Sequence, residues 1–213
     1  MTDWSAISNG ATGAGTLVLA LATFASVRSA NRSARVAEQS LSVGMRPVLF
    51  PSRFEDRTEK VFWNDEHHER LPGGQVVARI VGENVYLAMS VRNVGNGIGV
   101  LLGWHVEPRD QNLSVEPRDL ALFREQTRDL YVPPGDLSFW QAGLRDRDDE
   151  HYKIARKAIE NRETLIIHLL YSDHEGGQRT ITRFAAFPVG EGDQEKWLSS
   201  VSKHWFLDRQ NGR

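Results

Sequence analysis

The chain has no cysteine. That excludes disulfides, thiolate-bound zinc, iron–sulfur clusters and thiol catalysis. It also lacks an excess of charge of either sign. Lysine and arginine number 26, aspartate and glutamate 28, for a net charge of −2. No basic field is available to hold phosphates, so nucleic acid is not an expected partner. Reaction signatures are missing as well: there is no H-E-x-x-H, no G-x-S-x-G, no Walker loop and no kinase set. No catalytic residue, metal or cofactor is therefore expected, and no internal repeat or low-complexity tract appears.

A longer absence lies near the start. No charged residue falls between Asp3 and Arg28, which leaves 24 uncharged residues, 4–27. A bilayer core of about 30 Å takes about 20 helical residues. The run is therefore expected to be a transmembrane helix with Trp4 at one interface. Arg28, Arg32 and Arg35 follow it and no Lys or Arg precedes it. By the positive-inside rule the N-terminus lies outside a bacterial plasma membrane and the rest inside, in a single pass. Residues 28–45 contain no proline and read as a juxtamembrane helix stopped by Gly44 and Pro47. A stripe of small residues runs through Gly13, Ala20, Ala30, Ala34 and Ala37. Small residues let helices approach closely, so this seam is a candidate for homodimerisation.

Residues 46–213 read as mainly β. The stretch from Arg46 to Phe54 has Pro47 and Pro51 around a short apolar run and suits an edge strand. Residues 83–92 alternate, with Val85, Leu87, Met89 and Val91 on one face, as a half-buried strand should. Val100, Leu102, Trp104 and Val106 define the next strand. Thr164–Ser172 and Arg179–Phe187 form the arms of a hairpin. A helix is expected near 148–162. Trp197, Val201 and Trp205 stand four apart, which favours a second helix and leaves a terminal strand open. The count of strands and turns indicates an antiparallel sandwich of immunoglobulin-like type, with one or two added helices.

Two clusters carry the residue types of acid–base or metal chemistry. Asp65, Glu66, His67, His68 and Glu69 are neighbours in sequence, and in extended chain they point to opposite faces. His168, Asp173, His174 and Glu175 lie on the hairpin, the last three at its tip. His168 sits inside an apolar strand and reads as a hydrogen-bonded core residue. Trp63, Trp104, Trp140, Trp197 and Trp205 read mainly as core.

Residues 92–99, RNVGNGIG, place Gly95, Gly97 and Gly99 at alternate positions. A dinucleotide loop needs a helix after the glycines, whereas here an alternating strand follows. The glycines are expected to allow positive φ or a bulge, and Asn93 to bond local backbone. Together with Arg46-Pro47-Val48-Leu49, the turn residues Asn93, Gly95 and Gly97 resemble elements of a loose group of bacterial single-pass membrane proteins. The resemblance implies an N-terminal span, an immunoglobulin-like β domain and a membrane location, and implies no activity.

The expectation is a membrane-anchored, non-enzymatic interaction or scaffold protein whose partners are the bilayer and an unidentified protein. One rival is a ligand-binding or hydrolytic domain around His168, Asp173 and His174. The other is a membrane-active effector assembling through Gly10, Gly13 and Gly15.

Overall fold

The structure is a computed structural model that describes residues 4–109 and 115–208; the side chains of residues 4–18, 39, 42, 43 and 193 are outside the description. The chain divides into two compact units, Met1–Gly44 and Met45–Arg213.

The first unit is one continuous helix, α1 (Trp4–Gly44), of 41 residues. At about 1.5 Å per residue it is about 60 Å long. No proline interrupts it, and it ends ahead of Pro47, whose ring disfavours helical backbone at the residue before it. All its described side chains from Leu19 to Glu38 are exposed, including Ala20, Ala30, Ala34, Ala37, Arg28, Arg32 and Arg35. Gly13 and Trp4, on which the helix-packing and interface expectations rested, fall outside the described side chains.

Among the described residues no helix is long and apolar enough to cross a membrane. This overturns the single-pass assignment and the localisation built on it. The uncharged stretch 4–27 lies within α1, but its first half is diluted by Ser5, Ser8, Asn9, Gly10, Gly13 and Gly15.

The second unit is mainly β. Nine of its eleven strands form a single curled antiparallel sheet. One half centres on β5 (Asn84–Asn93). Strands β4 (Gln75–Val81) and β1 (Leu49–Pro51) share one edge of β5, and β8 (Leu137–Leu144) takes the other. The other half runs β11 (Lys196–Phe206), β10 (Thr180–Val189), β9 (Leu165–Asp173), β6 (Gly99–Pro108), β7 (Arg124–Val132). The halves meet where β4 joins β11 through two residue pairs, Val76 with Trp197 and Gln75 with Leu198. A separate hairpin pairs β2 (Glu59–Phe62) with β3 (His68–Leu71). Helix α2 (Glu150–Glu160) is capped by Asp149 and buries Tyr152, Ala155 and Ala158.

The main core lies inside the curl and includes Leu87, Met89, Trp140, Leu169, Tyr171 and Phe184. A second cluster of Val61, Trp63, Leu71, Val77, Tyr86 and Ala88 lies on the opposite face of β5. β5 is therefore buried on both faces from Val85 to Val91. The sequence pattern pointed to a half-buried strand, because Tyr86 and Ala88 do not announce the hairpin that covers them.

Two bulges change which face a residue occupies. In β6 the register shifts between Leu101 and Gly103, so Leu101 is inside and Leu102 is 37% exposed. The simple alternation had placed Leu102 with Trp104. Residues 196–206 form a strand, since β11 pairs along its length with β10. Its register shifts opposite Arg183 and Phe184 and leaves Ser202 as the extra residue. Val201 stays against the inner core, while Trp205 turns to the outer face. The spacing of four that looked helical is two strand segments separated by a bulge.

Candidate functional site

Asn93 is fully buried and ties three segments together. Its Oδ1 accepts from the Val48 and Gly95 amides at 3.1 and 2.9 Å. Its Nδ2 donates to the carbonyls of Gly97 and Val132 at 2.6 and 3.0 Å. Neither Gly95 nor Gly97 has positive φ. They are glycines because residues 45–48 press against them. A Cβ on Gly97 would fall 1.7 Å from the Met45 carbonyl, and one on Gly95 2.2 Å from that of Arg46. The loop is a structural latch, and close backbone approach replaces the expected left-handed turn.

His168, Asp173 and His174 do not converge. His168 is 1% exposed. Asp173 closes its own hairpin by accepting from the Gly177 amide at 2.7 Å. His174 is exposed beside Glu175. In the other cluster, Asp65 meets Tyr86 and Arg145, His67 stacks on Tyr86, and His68 is exposed. Burial favours the neutral acid at Asp65, but the Tyr86 and Arg145 hydrogen bonds outweigh it and bring the pKa down to about 2.

The outer face of β6, β9, β10 and β11 instead assembles a group that sequence spacing did not reveal. His105 stands directly opposite His168 across the β6–β9 ladder. Nε2 of His168 lies 3.0 Å from Oε1 of Glu107, and Arg118 Nε lies 2.7 Å from Oε2. The second bulge brings the Trp205 ring over His168, with centroids 6.1 Å apart. Nδ1 of His105 meets Nε2 of His151, at the start of α2, at 3.0 Å. Nδ1 of His151 reaches Asp149 at 3.2 Å, and Asp149 also binds Arg124. The signal available in the sequence was only that His105, Glu107 and His168 sit on strands that alternate in phase; their register is a tertiary fact.

Apart from the buried His168, this network is half-buried. Residues 115–123 lie over it, with Trp205 Nε1 donating to the Val115 carbonyl at 2.8 Å and Phe123 beside His105 and His168. Burial alone would raise Glu107, yet His105 at 3.7 Å and the close contacts from His168 and Arg118 hold it below the usual carboxylate range. Burial lowers the pKa of His168 and of His151. A charged Glu107 accepting from a neutral His168 describes a structural pairing, in which Nδ1 of His168 is buried without a hydrogen-bond partner among the described residues. Among the described residues no group of His, Asp or Glu is arranged to hold a metal ion. Trp63, Trp104, Trp140 and Trp197 are buried, and Trp205 is half-buried.

The accessible feature lies at the divergence of β4 from β11. A groove of about 590 Å³ is lined by Arg70, Val76, Ala78, Arg79, Lys196 and Trp197, among others. Beyond Val76, β4 has β5 on one edge and, among the described residues, no strand on the other. Val81 and Asn84 close a two-residue hairpin. In antiparallel pairing the bonded residues alternate. Val81, Arg79 and Val77 therefore bond inward to β5, and Ala78 and Ile80 aim their N–H and C=O groups at the open edge. Neither has another backbone partner among the described residues.

No protein-family profile matches the chain, and no curated protein does. Among solved structures, a protein from Archaeoglobus fulgidus is similar at 13% identity and TM-score 0.25, over 62% of this chain and 94% of that one. A β-glucosidase from Kluyveromyces marxianus is similar at 12% identity and TM-score 0.22, over 61% of this chain and 14% of that one. Scores of this size bear on neither fold nor function.

Proposed function

We propose that residues 45–213 are a non-enzymatic protein-interaction module of immunoglobulin-like sandwich type, which takes an extended segment of its partner onto the open edge of β4. The sandwich reading is supported by the single core shared between the β5 half and the β9 half and by the two-pair junction between them. The interaction reading rests on the unpaired outward groups of Ala78 and Ile80 beside the groove. An unpaired strand edge is a template for strand addition. The concentrated acid–base groups, by contrast, are paired with one another and partly covered by residues 115–123.

The test is a selection of random peptides on the full chain, followed by hydrogen exchange. Bound peptides should slow exchange of the Ala78 and Ile80 amides. Binders that leave both amides unchanged would sink the reading.

A further inference from the structure

We infer that the segment accepted by β4 alternates apolar and acidic residues, with a carboxylate opposite Arg79. This rests on the strand-addition reading above and adds the partner's chemistry.

The free edge runs from Val77 to Val81, about 17 Å of strand at 3.3–3.4 Å per residue. A strand added there pairs its bonded residues with Ala78 and Ile80, so one partner residue stands between them, opposite Arg79. The two sides of the lane differ. Ala78 belongs to the inner core, and Ile80 packs against it with Ile154 and Ile159 of α2. Partner side chains opposite Ala78 and Ile80 therefore meet apolar surface. Arg79 is on the other face and is exposed. Its Nε lies 3.4 Å from Glu69, which is also 3.5 Å from His67. Arg70 and Lys196 line the same groove and have no ion-pair partner among the described residues. Glu195 lines it too and faces Arg162 at 3.7 Å. Among the described lining residues three cations therefore meet two carboxylates, each already near a cation, so the unanswered charge there is positive. A partner carboxylate satisfies it, and a partner lysine adds to it.

The experiment uses two labelled nine-residue peptides with valine at alternate positions, which differ only in having Glu or Lys between the valines. Binding to the full chain is read by fluorescence anisotropy at low and high salt. The Glu peptide should bind about tenfold more tightly than the Lys peptide, as expected for exchanging attraction for repulsion at cross-strand pairs. The gap should shrink as salt rises. Arg79→Glu should reverse the preference. N-methylation of the central valines, which blocks their ladder hydrogen bonds and leaves the protein untouched, should abolish binding of both peptides. Equal binding of the two peptides, each lost on N-methylation, would overturn the acidic preference and leave strand addition standing. Binding indifferent to N-methylation, or no binding by either peptide, would overturn both.

Discussion

His105 and His151 meet ring nitrogen to ring nitrogen at 3.0 Å, with a carboxylate at each far end, Asp149 at 3.2 Å and Glu107 at 3.7 Å. The N···N contact holds only if one ring donates and the other accepts. His151 donates from Nδ1 to Asp149, so its Nε2 accepts from His105. A proton added to that Nε2 breaks the contact that joins α2 to β6.

The first prediction follows from this relationship. Burial lowers His151 and His168 below their ordinary values. The unfolded chain then binds more protons than the native one just below about pH 6.5. Stability is present above that pH and is lost as pH falls through it toward the folded values. The melting temperature of the full chain should drop between pH 7.5 and 5.5, and His151→Gln should flatten the dependence. A melting temperature that holds or rises over this interval would contradict the assignment.

Asn93→Ala should destabilise the β unit by about 3 kcal/mol, because it strands four backbone groups that the side chain satisfies. Asn93→Asp should do no better, since it aims a carboxylate at the Gly97 and Val132 carbonyls. Urea unfolding measures both. A loss below about 1 kcal/mol for either would refute the latch.

Gly97→Ala and Gly99→Ala form a matched pair. The first places a Cβ 1.7 Å from a carbonyl oxygen, whereas the second places one 3.4 Å from the Pro47 side chain. Alanine at 97 should cost about 3 kcal/mol and at 99 less than about 1 kcal/mol. Equal costs would show that crowding by residues 45–48 is not what requires glycine.

Tyr86→Phe removes one of the two side-chain hydrogen-bond partners, Tyr86 and Arg145, that hold the Asp65 carboxyl at about 2. The Asp65 pKa, followed by NMR, should move up toward the ordinary carboxylate range. A folded pKa below the unfolded one stabilises above about pH 4 and fades as pH falls toward 2, so this variant should also lose part of its acid sensitivity. An unmoved Asp65 would place the whole effect on Arg145.

The β content was legible because alternation over residues 83–92 and the arms of the β9–β10 hairpin report backbone period directly. What misled were places where a single residue breaks phase. Leu102 and Ser202 each insert a bulge, and each moves an aromatic or apolar neighbour to the other face without any local sequence mark. The opening helix misled differently: lack of charge over 4–27 is not apolarity. His168 was correctly read as a bonded core histidine. Its partners were invisible, since Glu107 and His105 are about sixty residues away and meet it only through strand register. The open edge of β4 was equally hidden, because an unpaired strand and a paired one share one pattern.

Asn93 has one further consequence. Besides its side-chain bonds, its amide donates to the Asp136 carbonyl at 3.2 Å and its carbonyl accepts from Gly135 at 2.9 Å. One side chain and its own peptide groups thus hold the entry of β1 and the turn between β7 and β8, the two end strands of the curled sheet. Neither of these surface segments can fray alone. They belong to a single cooperative opening unit, so their amides should exchange at one common rate, well below that of ordinary turns.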